Sequence, residues 1–221
     1  GKIDKSRVYS LEEGLNLIAS EHKLKFTPSV EMHIRLGIDP KQADQQIRTS
    51  ITLPKAIAKD IRIAVLTSEA NQKAAKDAGA QIYKDSEILD NLSKNIIDFD
   101  VLIASADKML ELGKYAKLLG PKGLMPSPKS GTVTNDFEKI INELKAGKLE
   151  VRNDSYGIVH LRIGKTDFKI EDLMANARLF FKTITSLKPS SSKGTYIKSV
   201  TICGTMSPSI AIDQKTIWLV E

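Results

Sequence analysis

The sequence predicts an α+β domain assembled from both chain ends, carrying an inserted α/β domain between them. Three observations point there. Residues 1–55 and 148–221 contain apolar and polar residues in the strict alternation of half-buried antiparallel strands, with one amphipathic helix in each piece. Residues 56–147 instead alternate short apolar runs with helical stretches, the pattern of a doubly wound, mainly parallel sheet. Charge divides the same way. The middle holds 13 Lys and Arg against 13 Asp and Glu, the ends hold 20 against 14, and the whole net charge of +6 therefore belongs to the ends. If the ends form one domain, that domain is the expected polyanion binder.

The first piece opens with a capping box, Ser10 and Glu13, before Leu11, Leu15 and Ile18, which predicts a helix to about Ser20. Val30, Met32, Ile34 and Leu36 alternate with Glu31, His33 and Arg35, a strand with one polar face, and Gly37 with Asp39-Pro40 turns the chain. Ile47, Thr49, Ile51 and Leu53 repeat the alternation up to Pro54. This leaves a sheet begun but unfinished.

The insert reads as a Rossmann-like succession. Ile61 to Leu66 is a buried strand, and a helix through Ala70, Ala74, Ala75 and Ala78 ends at Gly79, where a left-handed glycine fits. Gln81 to Tyr83 is a short strand, Ser86 caps a helix running to Ile96, Val101 to Ala104 is a strand, and Lys108 to Leu119 is a helix. The stretch Gly120 to Val133 follows, with three Gly, three Pro, two Lys and no acid. Prolines fix φ and glycines permit positive φ, so this loop is expected to hold one shape and to present lysines and free N–H groups. Thr132 to Thr134 is a strand, and Asn135 caps a helix through Phe137, Ile140, Ile141 and Leu144 that Gly147 closes.

After Gly147 the antiparallel style returns. Leu149 to Arg152 and Ile158 to Ile163 are expected to form a hairpin about the turn Asn153 to Gly157, with Val159, Leu161 and Ile163 inward and His160 and Arg162 outward. A long amphipathic helix runs from Ile170 to Ile184. Tyr196 to Cys203 and Ile210 to Ile212 are strands about the turn Gly204 to Pro208. The apolar tail Ile217-Trp218-Leu219-Val220 finds no partner in the sequence pattern.

Composition excludes several classes. Mean hydropathy is −0.19, no window approaches the roughly 18 apolar residues of a membrane span, and the first ten residues lack a signal peptide's apolar core. A membrane partner is therefore not expected. A single cysteine, Cys203, excludes a disulfide framework and reads as a small buried hydrophobe. No catalytic or cofactor site is expected: Gly-x-Gly-x-x-Gly and Gly-x4-Gly-Lys-Ser/Thr are both absent, and Lys129-Ser130-Gly131 has Walker-like letters in the wrong order. His22, His33 and His160 show no metal-ligand spacing, and no metal is expected. Binding features are stronger. Lys114, Lys117, Lys122 and Lys129 form a run free of acids, read either as a solvated face or as a phosphate contact. Phe26, in a polar loop, is either core filler or a stacking platform for RNA, and Met206 places a thioether at a loop tip.

Gly120-Pro-Lys-Gly-Leu-Met-Pro-Ser-Pro-Lys-Ser-Gly-Thr-Val133 closely resembles the signature of the ribosomal protein L-one family, of bacterial type. Leu36-Gly-Ile-Asp39, Arg152-Asn-Asp154, Gly164-Lys165, Lys193-Gly194 and Thr205-Met206 fall in that family's order and spacing, so the resemblance spans essentially the whole chain. It implies a non-catalytic constituent of the large ribosomal subunit, cytoplasmic and ribosome-associated, monomeric when free, that binds large-subunit rRNA at the mobile stalk near the exit site. It further implies help in releasing deacylated exit-site tRNA and repression of translation through the leader of its own mRNA. The family's rRNA-contacting positions carry over onto Lys25, Phe26, Ser29, Glu31, Arg35, Gly157, Ser199, Thr205, Met206 and Ser207, with Lys122 and Lys129 as secondary RNA contacts. Lys25 and Arg35 would meet phosphate, the hydroxyls 2′-OH groups, and Phe26 and Met206 ribose or base surfaces. A free-standing mRNA-binding regulator is the alternative, and a nucleotide-using enzyme a distant one. Three departures stand out: Ser207 replaces the family's glycine, Lys55 to Lys59 lacks the usual glycine-rich hinge, and Gly1 starts later than the family often does.

Overall fold

The computed structural model describes residues 3–4, 7–20, 25–57, 61–82 and 84–218, with the side chains of Ala70 and Lys129 outside that description. In chain order the elements are α1 (Leu11–Ser20), β1 (Ser29–Leu36), β2 (Arg48–Thr52), β3 (Ile63–Leu66), α2 (Glu69–Asp77), α3 (Asp85–Ser93), β4 (Val101–Ala104), α4 (Met109–Gly113), α5 (Ala116–Leu119), α6 (Phe137–Lys145), β5 (Lys148–Arg152), β6 (Ile158–Lys165), α7 (Ile170–Ser186), β7 (Ile197–Gly204), β8 (Ile210–Ile212) and α8 (Gln214–Trp218). The chain divides into two compact units, residues 1–57 with 149–221, and residues 58–148.

The first unit is built on a four-stranded antiparallel sheet of order β6-β1-β7-β8. Alternation along β1 puts Val30, Met32, Ile34 and Leu36 fully inside, where α1 and α7 pack, and leaves Glu31, His33 and Arg35 on the opposite face. α1 begins as its capping box requires, Glu13 N–H donating to Ser10 Oγ and Ser10 N–H to Glu13 Oε2, each at 3.2 Å. β2 and β5 form a separate two-stranded sheet whose Ile51 and Val151 join the same core. The expected hairpin between β5 and β6 is therefore not a ladder. β5 pairs with β2 and β6 with β1, and the two arms meet at the turn through an isolated Asn153–Val159 bridge and the bond from Asp154 N–H to Ile158 O. The alternation gave each strand its inward face but could not give it a partner.

Asn176 is the unexpected residue of this core. It lies on the apolar face of α7 with 0% exposure. Its Nδ2 donates to Ile163 O at 2.7 Å and Lys55 O at 3.1 Å, while Oδ1 accepts from Lys55 N–H at 3.1 Å. One buried amide thus satisfies the backbone of the segment that leaves the unit. The C-terminal tail also finds its place. Ile217 is buried in the core, the Trp218 ring meets Phe181 edge-on at 5.2 Å, and Thr216 Oγ1 accepts from Leu11 N–H at the start of α1. Leu219 and Val220 lie outside the described residues.

The second unit holds a parallel pair, β3 and β4, flanked by single parallel bridges at Ala64–Ile82 and Ala104–Val133. The expected strands at Gln81–Tyr83 and Thr132–Thr134 thus shrink to one bridge each, Tyr83 lying outside the described residues. Ile63, Val65 and Ile103 face one cluster, shared with α2 and α6. Ala64, Leu66, Leu102 and Ala104 face another, with Ile88, Leu92, Leu112 and Leu119. Helices on both faces explain why these strands read as continuous apolar runs. The helix expected over 108–119 is broken into a 3-10 turn, α4 and α5. Ser86 lies inside α3 rather than capping it, and α3 stops at Ser93, with Asn95 taking a left-handed φ of 58°. The cap of α6 is Asp136 and not Asn135: its carboxylate accepts from Lys139 N–H at 3.3 Å.

Candidate nucleic-acid interface

β1 is the spine of the predicted site. At its N-terminal end, Thr205 N–H donates to Ser29 O at 2.9 Å and Ser29 N–H donates to Thr205 Oγ1 at 3.1 Å, which fixes the turn after β7 against the start of β1. Ser207 closes that turn. Its Oγ accepts from Gly204 N–H at 2.7 Å and donates to Pro208 O at 3.3 Å, and its own N–H donates to Gly204 O. The Ser207 hydroxyl, where the resemblance leads one to expect glycine, is thus turned inward, holding the tip together. Met206, between them, is 84% exposed at φ 68°, a left-handed conformation that costs a non-glycine residue about 1–2 kcal/mol. A strained backbone at a hydrogen-bonded tip lifts a bare thioether into solvent.

Phe26 lies just before β1 and is 51% exposed, so it is not core filler. Lys25 beside it is exposed as well, and Lys23 lies outside the described residues. Glu31 is half-buried and Arg35 exposed on the outer face, with Ser199, also exposed, opposite Arg35 on β7. From Ser29 to Arg35 this face extends about 20 Å at the usual strand rise. Gly157 sits at the far end and is buried. It adopts φ 74°, its carbonyl accepts from Leu36 N–H at 2.8 Å, and an added Cβ would press on Ile38 and the Leu36 carbonyl. Its glycine is required by the turn.

The loop of the second unit behaves differently. Ser127 and Ser130 are buried, and the hydroxyls of Ser130 and Thr132 and the N–H groups of Ser127, Ser130 and Thr132 bond within the loop, as does Gly131 N–H to Pro128 O. The expectation of free N–H groups at these positions fails, because the turns built by Gly123 and Gly131, both at positive φ, fold the donors back on the loop's own carbonyls. Lys114, Lys117 and Lys122 remain exposed, whereas the Lys129 side chain is outside the described ones.

The sequence missed one cluster. Cys203 is not a buried hydrophobe: Val200 and Ile202 occupy the core side of β7, so parity turns Cys203 to the outer face, half-buried. It pairs with Glu31 across the ladder, and its Sγ is 3.2 Å from His33 Nε2. His33 Nδ1 lies 2.8 Å from His160 Nδ1, and His160 Nε2 lies 3.3 Å from Asp154 Oδ2. Burial, with the charge of His160, holds His33 below its usual pKa. Burial, with the charge of Glu31, pushes the Cys203 thiol up. Spacing within one strand could not show this, since the side chains come from β1, β6, β7 and the turn before β6.

The model of the ribosomal protein L1p/L10e family matches residues 17–208. The large ribosomal subunit protein uL1 of Rippkaea orientalis is 46% identical over 212 residues, covering 96% of this chain and 89% of the relative. Those of Synechococcus elongatus and a Prochlorococcus marinus strain are 49% and 47% identical over 207 residues, covering 94% of this chain and 87% and 88% of theirs. With the family model covering most of the chain and near-full-length relatives approaching half identity, this chain belongs to the bacterial type of the ribosomal protein L1p/L10e family.

Proposed function

We propose that this chain is a structural, non-catalytic protein of the large ribosomal subunit, gripping large-subunit rRNA through the outer face and loop tips of the domain built from its two ends. The observation that carries this is the pairing of two exposed apolar side chains, Phe26 and Met206, with a strand face bearing Arg35 and Ser199. Flat apolar surfaces beside cations and hydroxyls suit unpaired bases and riboses better than duplex phosphate alone. The charge excess of the chain ends supports the same choice. The inserted Rossmann-like domain is the secondary contact, through Lys122 and Lys129. Its two chain crossings, at 57/58 and 148/149, serve as the hinge of a mobile stalk that assists release of deacylated tRNA at the exit site. Ala58 to Asp60, at the first crossing, lie outside the described residues. The same face recognises a similar RNA fold in the leader of the protein's own mRNA and so represses translation.

Gel-shift with a stalk rRNA fragment and an mRNA leader fragment tests the reading. Tighter binding to rRNA, weakened in both cases by about 1–3 kcal/mol in Met206→Asp, is expected. Tight binding to the leader with none to rRNA would favour a free-standing regulator.

A further inference from the structure

We infer that Glu31, His33 and Cys203 form a binding site for a thiophilic divalent cation, Zn2+ in chemistry, on the uncovered face of the four-stranded sheet. One ligand atom from each residue lies within 4.8 Å of the others. Tetrahedral zinc with bonds near 2.0–2.3 Å needs its ligand atoms about 3.5 Å apart, so side-chain rotations that close a gap of at most about 1.3 Å complete the set. The scaffold is stiff. Glu31 and His33 project from the same side of β1, and Cys203 is the direct ladder partner of Glu31 on β7.

The direction of the His33 imidazole is set from outside the ligand set. Asp154 Oδ2 accepts from His160 Nε2–H, which leaves His160 Nδ1 as an acceptor. His33 Nδ1–H must then donate to it across 2.8 Å, and the His33 Nε2 lone pair is left facing Cys203 Sγ. Carboxylate, imidazole and imidazole in series thus present a basic nitrogen to the site, the supporting arrangement that orients histidine ligands in metal proteins. Asp154 is itself held, accepting from Tyr156 and Ile158 N–H at 2.9 and 2.8 Å. Without metal, the thiol donates to Nε2. On binding, the cation takes the place of the thiol proton, which passes to solvent, and a thiolate and a carboxylate neutralise its two charges. Soft sulfur with nitrogen and one carboxylate selects Zn2+ over Mg2+ or Ca2+. The fourth position faces outward, away from the core.

Cobalt is the probe, because Cys203 is the only cysteine and a thiolate-to-cobalt charge-transfer band can arise only there. Metal-free full-length protein titrated with Co2+ should give that band with one equivalent, and Zn2+ should bleach it. Cys203→Ser should abolish the band, while His33→Gln and Glu31→Gln should each weaken Zn2+ binding by more than about tenfold, the loss seen when even a supporting residue is removed. Thr201→Val, on the same face, should change neither. Circular dichroism establishes that each variant is folded. No band in folded wild-type protein overturns the site. A band insensitive to both His33→Gln and Glu31→Gln overturns it equally, since the cysteine would then be acting alone.

Discussion

The two surfaces that carry the lysine and loop signals of this sequence handle their polar groups in opposite ways. The Gly120–Val133 loop turns the Ser130 and Thr132 hydroxyls and several of its N–H groups onto itself, while Lys122 stays exposed. The terminal unit's tip also bonds internally through Thr205 and Ser207, but does so to hold Met206 outward, beside the strand face on which Glu31 and His33 are half-buried and Arg35 is exposed. A loop rich in glycine and proline is a means of keeping one shape, and that shape need not be the binding surface. Exposed apolar side chains on a rigid tip are the stronger sign of contact.

The difference can be broken most sharply at Asn176, which serves the terminal unit alone. Asn176→Ala orphans Lys55 N–H, Lys55 O and Ile163 O, and should destabilise that unit by about 3 kcal/mol. Hydrogen exchange should show earlier opening of β1, β6 and β7 while β3 and β4 keep their protection. Equal loss in both units would mean that they unfold as one.

Met206→Gly separates stability from binding. Glycine relieves the left-handed strain at φ 68°, so thermal stability should hold or rise by up to about 1 kcal/mol. Loss of the thioether should nevertheless weaken rRNA binding by about 1–3 kcal/mol. The insert loop should give the reverse. Thr132→Val, which removes a hydroxyl bonded to Ser127 and Ser130, should cost about 1–2 kcal/mol of stability with rRNA affinity within a factor of two, measured by denaturant melts and gel-shift on the same variant.

The smallest effect expected is on pH. Asp154 is burdened by partial burial, yet hydrogen bonds from Ile158 and Tyr156 N–H and from His160 hold its carboxyl below the usual range. A depressed carboxyl stabilises the fold above its unfolded pKa of about 4, and that contribution disappears as pH falls through the lower folded value. Asp154→Asn keeps the acceptor but removes the charge, so the acid limb of the terminal unit's stability should flatten by less than about 1 kcal/mol. In the insert, Asp100 is held low by the Arg62 side chain, and its acid limb should not respond to Asp154→Asn.

Periodicity made much of this legible. The inward faces of β1, β6 and α7, the start of α1 and the two-sided burial of β3 and β4 all follow from apolar spacing, because burial acts residue by residue along each element. Partners do not follow from it. The β5–β6 ladder was expected from nearness in sequence, whereas β6 pairs with β1, from Arg35 with Ile158 to Ser29 with Lys165, far apart along the chain. Pairings across strands are likewise invisible, which is why Cys203 read as core and His33 and His160 as scattered. Phe26 and Met206 were legible as candidates because large apolar residues in polar loops lack a packing reason in the sequence itself. Asn176 was not, since a lone amide within an apolar helix face gives no hint of the backbone groups it meets.

The proposed main grip on RNA lies on the terminal unit. Kd for a stalk rRNA fragment, measured across a series of salt concentrations for the full-length protein, tests it with two double variants, Phe26→Ala with Met206→Gly and Lys122→Ala with Lys129→Ala. The first should lose at least about tenfold in affinity at every salt concentration with little change in slope. The second should lose less and flatten the slope by at most about two counterions. A larger loss from the lysine pair, with the Phe26 and Met206 pair near wild type, would contradict the account.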